Sequence, residues 1–312
     1  MNDHHTPSAL DALEGNEQLK SSLLAALAAG RLCHSVLLCG EAGTGAGFAA
    51  RCLAADFLYP GHPDGPGARA ILAGESPEVL VLAGSGASGD IKIDDVRAVR
   101  REVFNTALSA AGRVVLIQGA DRLNTSSANA LLKVIEEPPE NVLFILTAPG
   151  EAAVLPTIRS RCCAYSLAPV PVEACDAWLR SRFPLEADVH GLSVLFGGKI
   201  GAAARCLQDP AARRQLADAK TLAAHIAAGD EYGALALLAG YEKDKPGARQ
   251  LLALLCSVCA WALRDAAAPL PPALAAQVLP LAQTASQQLR ANVSPKLALT
   301  VCAMHCCAAS LS

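Results

Sequence analysis

The stretch Gly40-Glu41-Ala42-Gly43-Thr44-Gly45-Ala46-Gly47 has the spacing of a phosphate-cradling loop, G-x-x-x-x-G-K-[ST], without its two charge-handling residues. In a complete loop the glycines let backbone N–H groups face the phosphates, a lysine reaches the β and γ oxygens, and a hydroxyl holds Mg²⁺. Here Gly40, Gly43 and Gly45 are kept, while Ala46 stands at the lysine position and Gly47 at the hydroxyl position. Losing a charge-assisted hydrogen bond costs about 1.5–3 kcal/mol, which lowers phosphate affinity roughly ten- to a hundredfold before the missing metal is counted. Weak or no nucleotide binding is expected, with no cofactor required. A second, independent part is also missing. The apolar run 114–117 reads as a strand buried on both faces, whose end in a phosphate-transferring site carries acidic residues for Mg²⁺. This one ends in Gln118-Gly119, and Asp121 follows only after the strand.

These residues need a frame. Residues 16–30 read as an amphipathic helix through Leu19, Leu23, Leu24 and Leu27, and 35–39 as a short apolar strand. The loop and a helix over 48–58 complete a strand, loop and helix unit, the context a phosphate loop requires. The Gly- and Pro-rich segment 59–68 reads as a loop, 79–82 as a buried strand, and 94–107 as a helix carrying Arg97, Arg100 and Arg101. Asn124 caps a helix that Pro138-Pro139 ends. Residues 142–146 form the next strand, with Thr147 at its carboxyl edge, where open α/β sheets place ligand-facing side chains. Strands alternating with helices of this length predict a parallel sheet covered on both faces.

After Tyr165 the strands stop. Residues 172–183, 188–196 and 200–207 predict a small helical group. From 209 onward the chain reads as Ala- and Leu-rich helix, broken at Gly229, Gly240, Pro246, 269–272 and Ser294-Pro295. These last helices are apolar around much of their circumference and so require partners, either one another or other subunits. The domain boundaries expected are 1–167, 168–208 and 209–312.

The whole chain sets outer limits. Its 312 residues suffice for two or three domains, and a net charge of −3 excludes a protein that holds nucleic acid by its overall field. Residues 1–7 lack a basic segment leading into an apolar one, and the longest apolar run, 251–263, is too short to span a bilayer. A cytoplasmic protein without membrane contact is expected. Among twelve cysteines, Cys256-x-x-Cys259 and the group Cys302, His305, Cys306 and Cys307 raise the question of a metal. Both lie in helical patterns without Gly or Pro knuckles, which favours core packing over zinc.

The segment 131–139, Leu-Leu-Lys-Val-Ile-Glu-Glu-Pro-Pro, preceded by Ser127-Ala128-Asn129-Ala130 and followed by Ser160-Arg161-Cys162, resembles the clamp-loader branch of the AAA+ ATPases. Gly15-Asn16-Glu17, Arg31-Leu32-Cys33-His34 and Ile93-Asp94-Asp95-Val96-Arg97 are similar to that family as well. The likeness covers roughly 10–210 and continues more loosely through Asn292. It implies an α/β P-loop (AAA+) domain with a parallel sheet, a small helical lid and an all-α carboxyl-terminal collar that assembles with other subunits. In that family the arginine of Ser-Arg-Cys contacts the γ-phosphate of ATP held by a neighbour, so the resemblance makes Arg161 an arginine finger in trans; its alternative is a structural arginine paired with a local carboxylate. Thr147 matches the sensor position, where without a γ-phosphate it is expected to bond locally. Lys199 and Arg205 are open matches for a nucleotide-facing basic residue.

The implied role is a subunit that does not hydrolyse ATP itself and works beside an ATPase subunit and a delta-like subunit, meeting a sliding clamp and primed DNA through the complex. The family often carries a four-cysteine zinc module after the loop helix; this chain offers Cys52 and then no cysteine through Ala68, so no zinc is expected. Arg97, Arg100 and Arg101 match either a DNA-phosphate contact or a solvated face balanced by Asp94, Asp95 and Glu102. Two other readings stand. An autonomous ATPase that recruits Asp121 or Glu136 to the metal is opposed by Ala46 and Gln118, and a DNA-binding adaptor is opposed by the near-neutral charge.

Overall fold

The computed structural model describes residues 6–85, 89–105, 112–186, 188–265, 267–291 and 293–310. Ala107, the expected end of one helix, and Asn292 lie outside them. The chain divides into two compact units, 1–170 and 171–312. The break falls between Val170 and Pro171. The segments expected as lid and collar lie together in the second unit.

The first unit holds five strands, β1 (Ser35–Cys39), β2 (Val79–Ala83), β3 (Arg113–Gln118), β4 (Val142–Ala148) and β5 (Cys163–Ser166). They form one sheet in the order β2-β3-β4-β1-β5, with every pairing parallel. The helices are α1 (Glu17–Ala28), α2 (Ala46–Leu58), α3 (Pro66–Ala73), α4 (Ile93–Asn105), α5 (Thr125–Glu136) and the single turn α6 (Pro156–Arg159). Successive strand side chains point to opposite faces, and the core divides accordingly. Val36, Leu38, Val114, Leu116, Leu143 and Ile145 pack with α1, α2 and α3. Leu37, Val115, Ile117, Phe144 and Leu146 pack with α4, α5 and α6. This is the α/β sheet, covered on both faces, that the strand and helix alternation predicts.

Two expectations need correcting. The strand expected as buried at 79–82 is the sheet's edge strand β2, with Val81 half exposed and only Leu82 buried. The segment 59–68 is not loop throughout, because α3 begins within it at Pro66. Proline at the first helical turn loses no hydrogen bond there and presets φ, and Gly74 ends the helix in the left-handed region at φ 81°. A cluster of Gly and Pro thus marks both ends of a short helix as well as a loop.

Asn16 explains why Gly15-Asn16-Glu17 matters to this fold. It adopts a left-handed φ of 56°, and its amide donates to Ala168 O at 3.2 Å and accepts from Ala168 N at 2.9 Å. The start of α1 is thereby fastened to the chain that leaves β5.

The second unit is helical: α7 (Val172–Arg182), α8 (Val189–Phe196), α9 (Ile200–Gln208), α10 (Pro210–Ala227), α11 (Glu231–Ala239), α12 (Lys245–Ala262), α13 (Pro272–Arg290) and α14 (Pro295–Ala309). Asp209, Asp230 and Asp244 cap α10, α11 and α12 through their side chains. Cys256 and Cys259 lie within α12, and Cys302, Cys306 and Cys307 within α14. Cys302 and Cys306 sulfurs are 3.9 Å apart across one helical turn. Burial pushes the Cys259 thiol up to about 12, as expected for a protonated core residue. Among the described residues no helix is long and apolar enough to cross a membrane.

Candidate functional site

Most candidate residues of the first unit gather at two ends of the sheet. At the carboxyl edge, β1 runs into Gly40, whose N–H donates to Ala148 O at 2.9 Å. The next turn closes on itself: Thr44 N–H and Thr44 Oγ1 both donate to Glu41 O, at 3.0 and 2.8 Å. Thr44 is buried, and it passes so close to Gly40 that a Cβ there would collide with Thr44 Oγ1. Gly43 and Gly45 hold φ of 91° and 102°, values costly for any side-chain-bearing residue. The glycines therefore form the loop outline that the spacing suggests. Helix α2 starts at Ala46 with no side-chain cap, so its first N–H groups and the positive end of its dipole face the loop. Positions 46 and 47, Ala and Gly, add neither a lysine nor a hydroxyl to them. A Cβ added at Gly47 would meet nothing within 4 Å, so the space for a side chain persists.

The other residues of this edge follow from register. Gln118 aligns with Thr147, and Thr147 with Leu38 of β1, so all three lie beside the loop. Thr147 Oγ1 accepts from Gly119 N–H at 3.2 Å, a local bond. Gly119, at φ 84°, turns the chain away, which carries Asp121 into a short 3-10 turn beyond the strand. The strand end beside the loop is thus Gln118, uncharged. Burial pushes the Cys52 thiol in α2 up to about 12, leaving it protonated in the core. Among the described residues no group of three or more His, Cys, Asp or Glu is arranged to hold a metal.

At the amino edge stands Arg161. It follows α6 and precedes β5, in a turn closed by Arg161 N–H to Ile158 O and Cys162 N–H to Arg159 O. Its side chain is 40 % exposed. Nε donates to Glu136 Oε1 at 2.5 Å, while Nη1 donates to Thr157 O at 3.1 Å and to Ser160 Oγ at 3.2 Å. The local carboxylate partner named as the alternative at Arg161 is therefore present, and the guanidinium also remains open to solvent. Glu136 ends α5, and the preceding carbonyl, Ile135 O, is 2.9 Å from His34 Nε2. A carbonyl only accepts, so that nitrogen carries the proton.

The remaining candidates are dispersed. Arg97, Arg100 and Arg101 line one face of α4 around Phe104, which is half exposed. Arg97 lies 3.3 Å from Asp94, and Arg100 sits over the Phe104 ring at 6.0 Å. Arg205, in α9 of the second unit, is 3.9 Å from Asp209, and Lys199 precedes that helix. Sequence reasoning missed the pairing of Glu136 with Arg161 and the contact of His34 with the end of α5.

A profile of the family described as DNA polymerase III, delta subunit, matches residues 15–171, which takes in both edges of the sheet. The chain belongs to that family. Among relatives of this DNA polymerase III delta-subunit family member, the Escherichia coli DNA polymerase III subunit delta' is 30 % identical over 224 residues, 69 % of this chain and 67 % of that protein. The Mycobacterium tuberculosis DNA polymerase III subunit gamma/tau is 32 % identical over 180 residues, 56 % of this chain and 31 % of that protein. The chain thus spans about a third of the gamma/tau relatives it matches. A solved DNA polymerase III gamma-subunit-related protein from Thermotoga maritima superposes with a TM-score of 0.51 over 93 % of this chain and 99 % of that one. Its sequence is 18 % identical, so this likeness concerns the fold.

Proposed function

We propose that this chain is a delta-prime-like, non-hydrolysing subunit of the DNA polymerase III clamp loader, and that it lends Arg161 to ATP bound by a neighbouring ATPase subunit during sliding-clamp loading in DNA replication. The observation that carries the reading is the placement of Arg161 and the loop at opposite edges of an all-parallel sheet. At about 3.3 Å per residue, the five residues of β1 alone are about 16 Å long. A half-exposed guanidinium that far from its own loop is in a position to serve a partner's phosphates and in none to serve its own. A trans arginine that stabilises charge on the transferring phosphoryl group is worth about 10³–10⁵ in rate in the best-studied systems.

Several features support the rest of the reading. Ala46, Gly47 and Gln118 remove the lysine, the hydroxyl and the acid that intrinsic hydrolysis needs, so the loop binds nucleotide weakly or not at all and no cofactor is required. Thr147, bonded to Gly119, is a remnant of a sensor. The helices after 209 supply the collar that joins other subunits, among them an ATPase subunit and a delta-like subunit. Arg97, Arg100 and Arg101 offer cations to primed DNA held by the assembled complex, a contact that a chain of net charge −3 makes only locally.

The test is Arg161→Ala in the reconstituted complex. Assembly should be intact and DNA-stimulated ATPase severalfold lower or worse. An assembled mutant with unchanged turnover removes the finger. Calorimetric titration of the isolated chain with ATP and Mg²⁺ checks the other half: micromolar binding accompanied by turnover would replace this reading with that of an autonomous ATPase.

A further inference from the structure

Glu136 and Arg161 are 25 residues apart in sequence, yet their side chains meet at 2.5 Å at the sheet's amino edge. We propose that Glu136 is the positioning residue of the arginine finger, an inference that rests on the trans reading of Arg161. Three acceptors hold the guanidinium: Glu136 Oε1 takes Nε–H, and Thr157 O and Ser160 Oγ share Nη1. Among the described residues Nη2 makes no hydrogen bond, which leaves it as the donor available to a phosphate oxygen. Glu136 binds at Nε, on the stem side of the group, and so orients the fork without occupying its tip.

Both partners are too exposed, at 40 % and 46 %, for the ion pair to act mainly through its Coulomb energy. Its value is geometric. An exposed arginine samples many rotamers, and a donor fixed before the reaction needs no reorganisation as charge develops. Glu136 is itself held in place. It ends α5, and His34, just ahead of β1, donates from Nε2 to the carbonyl of Ile135 at 2.9 Å. The finger is thus braced from the residue that leads into β1 as well as from its own turn.

The experiment uses the reconstituted complex carrying Glu136→Ala, Glu136→Gln, Glu136→Asp, Arg161→Ala, or the Glu136→Ala/Arg161→Ala pair. Subunit stoichiometry is followed by native mass spectrometry, and kcat and KM by DNA-stimulated ATP hydrolysis. Glu136→Ala is expected to lower kcat roughly tenfold at unchanged KM, the lower end of the effect of one charge-assisted hydrogen bond. Glu136→Gln, which keeps an oxygen for Nε–H, should recover the rate to within about twofold, since a neutral acceptor still fixes the fork. The double variant should be no slower than Arg161→Ala. Glu136→Asp keeps the charge but withdraws it by one carbon; it should behave like Ala, and it decides the matter if Glu136→Ala does not assemble. A slow Arg161→Ala beside a normal Glu136→Ala or Glu136→Asp overturns the positioning role and keeps the finger. Additive losses in the double variant also overturn it. A normal Arg161→Ala instead removes the reading on which the inference rests.

Discussion

At the carboxyl edge of the sheet the glycines that shape the loop persist, while the positions that would carry the lysine, the hydroxyl and the acid hold Ala46, Gly47 and Gln118. At the amino edge the opposite holds: Arg161 is present, oriented by three acceptors, and open to solvent. The difference separates what the fold needs from what chemistry needs. Gly40 leaves no room for a Cβ beside Thr44, and Gly43 and Gly45 occupy left-handed backbone, so replacing any of them would disturb the sheet end whether or not phosphate is bound. A lysine at 46 or a hydroxyl at 47 supports nothing structural. The outline of a phosphate loop therefore reports a strand-to-helix turn, and only its charged positions report binding.

The contrast can be broken in three ways. The strongest strikes the frame that both edges share: Phe144, fully buried in β4, should cost about 3–5 kcal/mol when replaced by Ala, read as a lower urea midpoint. Loss of finger-dependent ATPase without loss of stability in that variant would show that the edges are not tied through one core. Next in size is a gain. Ala46→Lys with Gly47→Thr restores both missing groups in a place where a Cβ at 47 meets nothing. Calorimetry should show ATP affinity rising roughly ten- to a hundredfold, the weight of a charge-assisted hydrogen bond or two. No gain would mean that the loop's closure on Glu41, through Thr44, excludes phosphate as well. The smallest effect is expected from Thr147→Val, which removes the side-chain acceptor of Gly119 N–H. Because Thr147 O accepts from the same group at 3.1 Å, the loss should be about 1 kcal/mol or less by denaturant titration.

Most of the first unit was legible from the sequence because its signals are local. Apolar runs at 35–39, 114–117 and 142–146 have the length and flanks of buried parallel strands, and Asn124 and Pro138-Pro139 bracket α5. Helix α3 was not, since Pro66 was read as part of a Gly- and Pro-rich loop where it opens a helix that Gly74 ends. Loss of charge at the phosphate loop was equally plain, because it needs only the identity of residues 46 and 47. The Glu136 to Arg161 contact was out of reach of pattern and spacing, being made by the register of the sheet. A topological signal existed: α5 returns the chain to the start of β4, and α6 returns it to the start of β5, so the ends of both helices had to share the amino edge.

Parallel strands give the first unit polarity, with a cation at one end and a blank cradle at the other. Copies of such a body placed front to back make a heterologous contact, each reaching into the next, and a series of that kind is directional. A link that can give and cannot receive closes the row. On the reading argued above, sequence losses at three positions are what designate this polypeptide as the terminus of its arc.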